Sequence, residues 1–318
     1  MKPPVKTLVT GADGFIGSAV CSRLVREGHD VVAATRTLRS TVPGCEMVAV
    51  GAVGSETDWS QSLVGVSAVV HLVGVTHSAY GGKKDELEHY ENVNALGTLN
   101  LARQAKSAGV SNFVFMSTIK VNGEKTVGSF DQMTSSRKPE PKDHYGRTKY
   151  QAEKLLESVT GMTRVVLRPP LVYGPGQKGN LDLLCRTLLK RIPLPLHGIK
   201  NKRSFIYVEN LVGAVLAGLN RKTLECEIFT LADITVSTTE LVLNLAENLH
   251  VRATLFHLPP SVLKFLAACV NRRYLAERLV DSLVVNTTDA HSTLKWAPEF
   301  SFQEALYKTG KWYRNERN

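Results

Sequence analysis

The stretch "VKTLVTGADGFIG", residues 5–17, joins a short β-branched segment to three glycines and decides the fold. Gly11, Gly14 and Gly17 follow each other at intervals of three, one residue wider in the first interval than the G-x-G-x-x-G pattern. Glycine lets the backbone turn sharply and approach a ligand, and a helix start offers unpaired N–H groups. The stretch therefore predicts a strand, a pyrophosphate-binding turn and a helix.

Helical and strand patterns alternate after this turn. "SAVCSRLVREG" has apolar residues at helical spacing and ends at Gly28, and longer helices are predicted at 90–109 and 144–158. Apolar segments predict buried strands at 29–36, 46–50, 68–73, 112–118 and 163–170. Such apolar strands separated by helices are typical of a parallel sheet covered on both faces. The predicted fold class is α/β, a Rossmann-type doubly wound parallel sheet.

The alternation weakens after about residue 170, where a smaller mixed α/β region is predicted to bind the substrate. The predicted domains are a dinucleotide-binding domain over 1–170 and a substrate-binding region over 171–318, between which the chain can cross. Residues 259–270, "PPSVLKFLAACV", are short and apolar and predict a core or interface helix rather than a membrane anchor.

Composition narrows the class of protein. The 318 residues are 43% hydrophobic and carry a formal net charge of +10 without a nucleic-acid-binding signature, which favours a small anionic ligand. Five cysteines without a C-x-x-C pair predict neither disulfides nor zinc, and the nine histidines lack metal-ligand spacing. We expect a cytoplasmic protein with no metal, no nucleic-acid partner, no signal peptide and no membrane span.

The end of the second strand bears on the choice of nucleotide. An acid at this place usually binds the ribose of NAD, whereas an Arg accommodates the extra phosphate of NADP. Asp30 precedes the strand and no acid ends it; Thr35, Arg36 and Arg39 occupy the region instead. The predicted cofactor is NADP or NAD, with a preference for NADP. Alternatively, Arg36 is a solvated loop residue or stacks on adenine.

A phenol and an ammonium stand one helical turn apart in "DHYGRTKYQAEK", residues 143–154. The i, i+4 spacing places Tyr145 and Lys149 on one helix face, so the ammonium and a bound nicotinamide are expected to lower the phenol pKa. Tyr145 could then exchange a proton with a carbinol or carbonyl. Ser117 and Thr118 end the strand before it, where a hydroxyl can orient the reacting oxygen. The alternative is an ordinary Tyr and Lys on a surface helix.

Together, "TGADGFIG", "HLVG", "FMSTIKVNGE", "YGRTK", "LRPPLVYGPG" and "RSFIYVENL" resemble the extended short-chain dehydrogenases/reductases, the nucleotide-sugar epimerases, dehydratases and reductases. The resemblance covers nearly the whole chain. It implies a catalytic trio of Thr118, Tyr145 and Lys149. It also implies a cofactor site formed by Gly11, Gly14, Phe15, Ile16, Gly17, Arg36, Leu72, Tyr145 and Lys149.

The resemblance also implies substrate residues. Thr118 would contact the sugar, and Asn180 and Arg203 would bind the sugar diphosphate, joined by one of Arg272, Arg273 and Arg278. Asn94 would be a structural or cofactor-proximal residue, and His71 would pack near the cofactor. Ala52 lies near the place where many relatives carry an adenine-contacting acid, and Asp58 follows further on, so the adenine contacts stay open.

The resemblance leaves the reaction open. Because Ile119 and Lys120 replace the acid pair that dehydratases carry after the hydroxyl, a dehydratase is disfavoured. We predict a homodimeric UDP-4-keto-6-deoxy-N-acetylhexosamine 4-reductase used in surface polysaccharide biosynthesis, with the dimer formed by the helices around 92–105 and 150–158. One alternative is a UDP-glucose or UDP-N-acetylglucosamine 4-epimerase that keeps NAD bound. Another is a dinucleotide sensor without turnover.

Overall fold

Twelve strands and eleven α-helices make up the described part of the chain. The computed structural model describes residues 5–38, 41–76, 86–128, 130–270 and 273–316. The strands are β1 (Thr7–Thr10), β2 (Val31–Thr35), β3 (Glu46–Ala49), β4 (Ala68–His71), β5 (Asn112–Met116), β6 (Thr163–Arg168), β7 (Leu171–Tyr173), β8 (Leu194–His197), β9 (Arg203–Tyr207), β10 (Cys226–Thr230), β11 (Ile234–Val236) and β12 (Leu255–His257). The helices are α1 (Phe15–Arg26), α2 (Glu86–Tyr90), α3 (Gly97–Ser107), α4 (His144–Glu157), α5 (Asn180–Leu189), α6 (Val208–Leu219), α7 (Thr238–Asn248), α8 (Pro260–Cys269), α9 (Arg273–Val280), α10 (Thr288–Ser292) and α11 (Phe302–Asn315).

A seven-stranded sheet, in the order β10-β6-β5-β4-β1-β2-β3, is parallel throughout. Successive strand residues point to opposite faces, so Leu8 packs in the layer of α3 and α4 while Val9 packs with α1 and α6. Both faces are covered, which explains why the central strands are mostly apolar. The Rossmann-type doubly wound fold predicted from the sequence is confirmed.

The second region contains a three-stranded sheet, β11-β9-β7, and a parallel pair, β12-β8. Helices α5, α7 and α11 pack around these strands in a separate apolar cluster. Strand β10 and helix α6 lie beyond residue 170 in the sequence, yet they belong to the large sheet and to one of its covering layers. The chain therefore crosses between the two parts, and the boundary at residue 170 stays a prediction.

Two elements differ from their sequence prediction. The helix expected over 90–109 is a π-helical turn, Glu91–Leu96, followed by α3. Helix α8 was predicted as a core or interface helix; it contains no buried residue, and Val262, Phe265 and Leu266 are exposed, so the core alternative was wrong and the interface alternative stays a prediction. Within the ranges given above, no helix combines the length and apolar character needed to cross a membrane.

Candidate active site

The glycine turn has the shape of a phosphate cradle. Gly11 adopts φ +66°, and the Gly14 N–H donates to its carbonyl oxygen at 3.0 Å. A Cβ on Gly17 would lie 2.1 Å from the same oxygen, so only glycine fits there. Phe15 and Ile16 begin α1, where no described side chain caps the helix and no acid occupies the first turn. These open N–H groups fit the pyrophosphate of a dinucleotide.

Two other predicted cofactor positions border this cradle. A Cβ on Gly11 would lie 3.5 Å from the Leu72 carbonyl carbon, so the backbone after β4 closes one side of the turn. Arg36 follows β2 directly, is exposed, and makes no hydrogen bond or ion pair with the described residues. Arg39 lies outside the described residues. Exposed Asp58 accepts the Ser60 N–H at 2.9 Å, so adenine contacts stay a prediction.

Helix α4 brings the predicted phenol to the strand-end hydroxyl. Asp143 caps the helix by accepting the Gly146 N–H at 2.7 Å, and half-buried Tyr145 lies in the first turn. Burial and then the Asp143 carboxylate raise the Tyr145 pKa, and they outweigh the Thr118 hydroxyl, which lies near the phenol and lowers it. The expected lowering of the Tyr145 pKa by Lys149 together with a bound nicotinamide stays a prediction.

Lys149 is held by backbone carbonyls at the ends of two strands. Its ammonium donates to Val73 O at 3.3 Å and to Met116 O at 3.0 Å, and it lies 4.6 Å from the centroid of the Phe115 ring. Burial lowers the Lys149 pKa to about 7, against an opposing effect of Glu153. The side chain is thus fixed near the sheet edge, where nucleotides bind in open α/β folds.

The two neighbouring hydroxyls have different surroundings. Ser117 donates to the Glu153 carboxylate, which pairs with the Arg168 guanidinium at 2.5 Å. All three side chains are buried, so the Ser117 hydroxyl belongs to a structural network. Thr118 is the hydroxyl that reaches Tyr145. The structure thereby separates two candidates that the strand-end position alone could not distinguish.

His71 and Asn94 have structural contacts. His71 is fully buried between the hydroxyls of Thr10, at 2.8 Å, and Thr98, at 3.0 Å. Burial, followed by the charge of Lys149, lowers its pKa to about 3, so the ring is neutral. Asn94 lies on the π-helical turn, and its carboxamide oxygen accepts the Val75 N–H at 2.8 Å. It therefore fixes the backbone beside the glycine turn.

The predicted substrate residues lie on the second region. Arg203 begins β9 and donates to Asp281 O at 3.2 Å; burial, followed by the charge of Arg278, lowers its pKa to about 10. Arg278 also lowers the pKa of Asp143, which links this pair of cations to the start of α4. Asn180 is the exposed first residue of α5, and among the described residues no hydrogen bond joins it to this pair.

The structure distinguishes among the three candidate arginines. Arg278 is the electrostatic neighbour of Arg203, whereas exposed Arg273 pairs with Glu277 at 2.9 Å on its own helix. Arg272 lies outside the described residues. Sequence reasoning could not choose because the choice depends on where tertiary packing places α9. It also missed Asp143, although an Asp directly before a helix is a recognised capping signal.

A covered parallel sheet, a glycine cradle and a Thr/Tyr/Lys set at its edge define an extended short-chain dehydrogenase/reductase. The chain belongs to the NAD-dependent epimerase/dehydratase family, whose model matches residues 7–232. It is 32% identical to a UDP-glucose 4-epimerase of Vibrio cholerae, over 100% of this chain and 98% of that protein.

Solved structures share the fold. A UDP-glucose 4-epimerase of Thermotoga maritima, solved with UDP-glucose, has a TM-score of 0.78 at 21% identity and covers 99% of this chain and 100% of its own. A UDP-glucuronic acid 4-epimerase of Bacillus cereus in complex with NAD has a TM-score of 0.78 at 22% identity, covering 98% and 97%. The protein is thus an enzyme of the NAD-dependent epimerase/dehydratase family.

Proposed function

We propose that the protein is a UDP-sugar 4-epimerase that uses bound NAD. The proximity of the Thr118 hydroxyl and the Tyr145 phenol carries the proposal, together with a glycine turn that leaves the start of α1 without a side-chain cap. The end-to-end relationship to the Vibrio cholerae UDP-glucose 4-epimerase supports it. It replaces the reductase as the preferred reaction, since that relative is an epimerase. The proposed cofactor is NAD.

The side chains of the site would move one proton and hold the sugar. The glycine cradle and the α1 N–H groups would bind the pyrophosphate, and NAD, when bound, accepts a hydride from a sugar carbon and returns it. Tyr145 would accept the proton of the sugar hydroxyl during oxidation and give it back during reduction. Thr118 would hydrogen-bond the same oxygen. Lys149, fixed on two carbonyls, would support the anionic phenolate.

The half-buried cationic pair, Arg203 and Arg278, would bind the diphosphate. Two guanidinium groups placed together in a partly closed site favour a ligand with two adjacent negative charges, and an Arg fork matches phosphate oxygens. The mutual repulsion of Arg203 and Arg278 is part of what lowers the Arg203 pKa, and a bound anion would relieve it. Asn180 as a further diphosphate contact and a homodimer formed through α3 and α4 remain predictions.

A 4-keto-sugar reductase is the second candidate. The observation that favours it is Arg36 after β2, exposed and without a partner among the described residues, at the position where an acid would bind the ribose of NAD. A reductase exchanges NADPH in every turnover, and an Arg there would meet its extra phosphate.

Two assays separate the candidates. The purified protein is incubated with UDP-glucose, and separately with UDP-N-acetylglucosamine, without added cofactor, and the C4 epimers are measured by chromatography. A second reaction contains a UDP-4-keto-6-deoxy-N-acetylhexosamine and NADPH, whose absorbance is followed. Conversion without added cofactor supports the epimerase; NADPH consumption supports the reductase. Failure of both contradicts the proposal and favours a non-catalytic dinucleotide sensor.

Replacing Arg278 by Gln is expected to raise the KM for the UDP-sugar about tenfold to a hundredfold, because a charge-assisted hydrogen bond to phosphate contributes about 1.5–3 kcal/mol. The value of kcat should change little, since the diphosphate is remote from the reacting carbon. Arg273→Gln is the matched control, because Arg273 pairs with Glu277 on its own helix and should leave KM unchanged. Equal effects of the two variants would contradict this assignment.

A further inference from the structure

Lys120 lies among the catalytic elements without belonging to the predicted trio. Its ammonium donates to the Asp143 carboxylate and lies 3.1 Å from a Glu124 carboxylate oxygen. It also lies 6.0 Å from the centroid of the Tyr145 ring, and its side chain is 19% exposed. Lys120 is thus a mostly enclosed cation between two carboxylates, beside the phenol.

The backbone and side chain of Lys120 connect two elements that must keep a fixed spacing. Its N–H donates to the Thr118 hydroxyl oxygen at 3.4 Å, at the end of β5. Its ammonium holds Asp143, whose other carboxylate oxygen caps α4. One residue therefore joins the strand-end hydroxyl to the start of the helix that carries Tyr145.

Charged and titratable groups surround Tyr145 on α4 and on two neighbouring elements. Asp143 and Lys149 flank it along α4, Tyr90 comes from α2, and Lys120 comes from the 3₁₀ turn Ile119–Val121. Around these, Glu124 pairs with Lys120, Arg278 acts on Asp143, and His144 contacts the Tyr90 ring. Asp143 faces the phenol directly, and Lys120 is the cation paired with that carboxylate.

We infer that Lys120 is a positioning residue that fixes the Asp143 cap of α4 relative to Thr118 and offsets the Asp143 charge beside the Tyr145 phenol. The inference rests on the proposed function for the role of the phenol. Without Lys120, the carboxylate opposes formation of the phenolate more strongly. Without Asp143, the ammonium acts unopposed and favours the phenolate. Loss of the Lys120 charge alone should therefore raise the Tyr145 pKa, and loss of the Asp143 charge alone should lower it.

The test is a spectroscopic pH titration of the NAD-bound protein, without sugar. The phenolate absorbance of Tyr145 is obtained by subtracting the titration of Tyr145→Phe. Lys120→Met should move the midpoint upward, and Asp143→Asn, which keeps a capping side chain, should move it downward, each by about one pH unit from a charge at this distance. The double variant of Lys120→Met and Asp143→Asn removes one positive and one negative charge, so the net charge of the pair stays zero. Its midpoint should therefore lie near that of the wild type.

Controls separate this role from general damage and from failure of the proposed reaction. Lys120→Arg should keep the wild-type midpoint, and Lys125→Met, which removes a nearby exposed ammonium, should not move it. Shifts of the two single variants in the same direction, or no shift in either, would overturn the inference. The titration contains no sugar, so its result does not depend on whether the protein epimerises UDP-sugars. Absence of epimerase activity would contradict only the proposed function.

Discussion

Replacement of Tyr145 by Phe is expected to lower turnover about 10²–10⁴-fold, the usual contribution of a positioned proton-transfer group. Phenylalanine keeps the ring and its packing and removes only the hydroxyl that contacts Thr118. Affinity for NAD should therefore remain close to that of the wild type. The measurement is the rate of UDP-sugar epimerisation, together with NAD binding by fluorescence titration.

The matched control is Tyr150→Phe on the same helix. Tyr150 is also half-buried, and its ring contacts the Lys154 ammonium at 5.9 Å rather than the strand-end hydroxyl. This variant should keep turnover within about threefold of the wild type, as expected for a substitution away from the proton-transfer group. If Tyr145→Phe retained comparable activity, the phenol would have no part in the reaction.

Replacement of Arg168 by Met is expected to lower the free energy of unfolding by about 3–5 kcal/mol, because it leaves a buried carboxylate without its partner. Arg168 and Glu153 are 2% and 1% exposed, and Arg168 also donates to the Asn122 side chain at 3.1 Å. The network includes Ser117, so its loss also disturbs the chain next to Thr118. Chemical denaturation measures the change.

An exposed pair provides the comparison. Arg186 and Asp182 form a similar bond at 2.9 Å, but their side chains are 53% and 21% exposed. Arg186→Met should cost less than about 1 kcal/mol, as is usual for surface pairs. Adding Glu153→Leu to Arg168→Met should recover part of the lost stability by removing the unpaired charge. Equal losses for the two arginine variants would contradict the importance of burial.

Local sequence patterns predicted those features that depend on neighbouring residues. The strands of the large sheet have apolar runs, and Gly11, Gly14 and Gly17 mark a turn that few other residues could form. Tyr145 and Lys149 share a helix face because of their spacing alone. Their assignment to a catalytic set came from the resemblance, and it stays a prediction.

Features that depend on tertiary packing could not be predicted. The π-helical turn that carries Asn94 accommodates an extra residue within a helix. No residue type marks such a turn, so the sequence pattern did not predict it. The exposure of α8 depends on what covers it, and its apolar sequence suggested the opposite. The proximity of Arg278 to Arg203 joins residues 75 positions apart, which no local spacing encodes.

The return of the chain to the large sheet limits how the protein can be dissected. Strand β10 pairs with β6 along five residues, from Cys226↔Arg164 to Thr230↔Arg168, and α6 covers one face of the same sheet. A fragment ending near residue 170 would leave the backbone of β6 unpaired at an apolar edge, a template for aggregation. Nucleotide binding therefore has to be studied in the intact polypeptide, because the amino-terminal half has no complete core when excised.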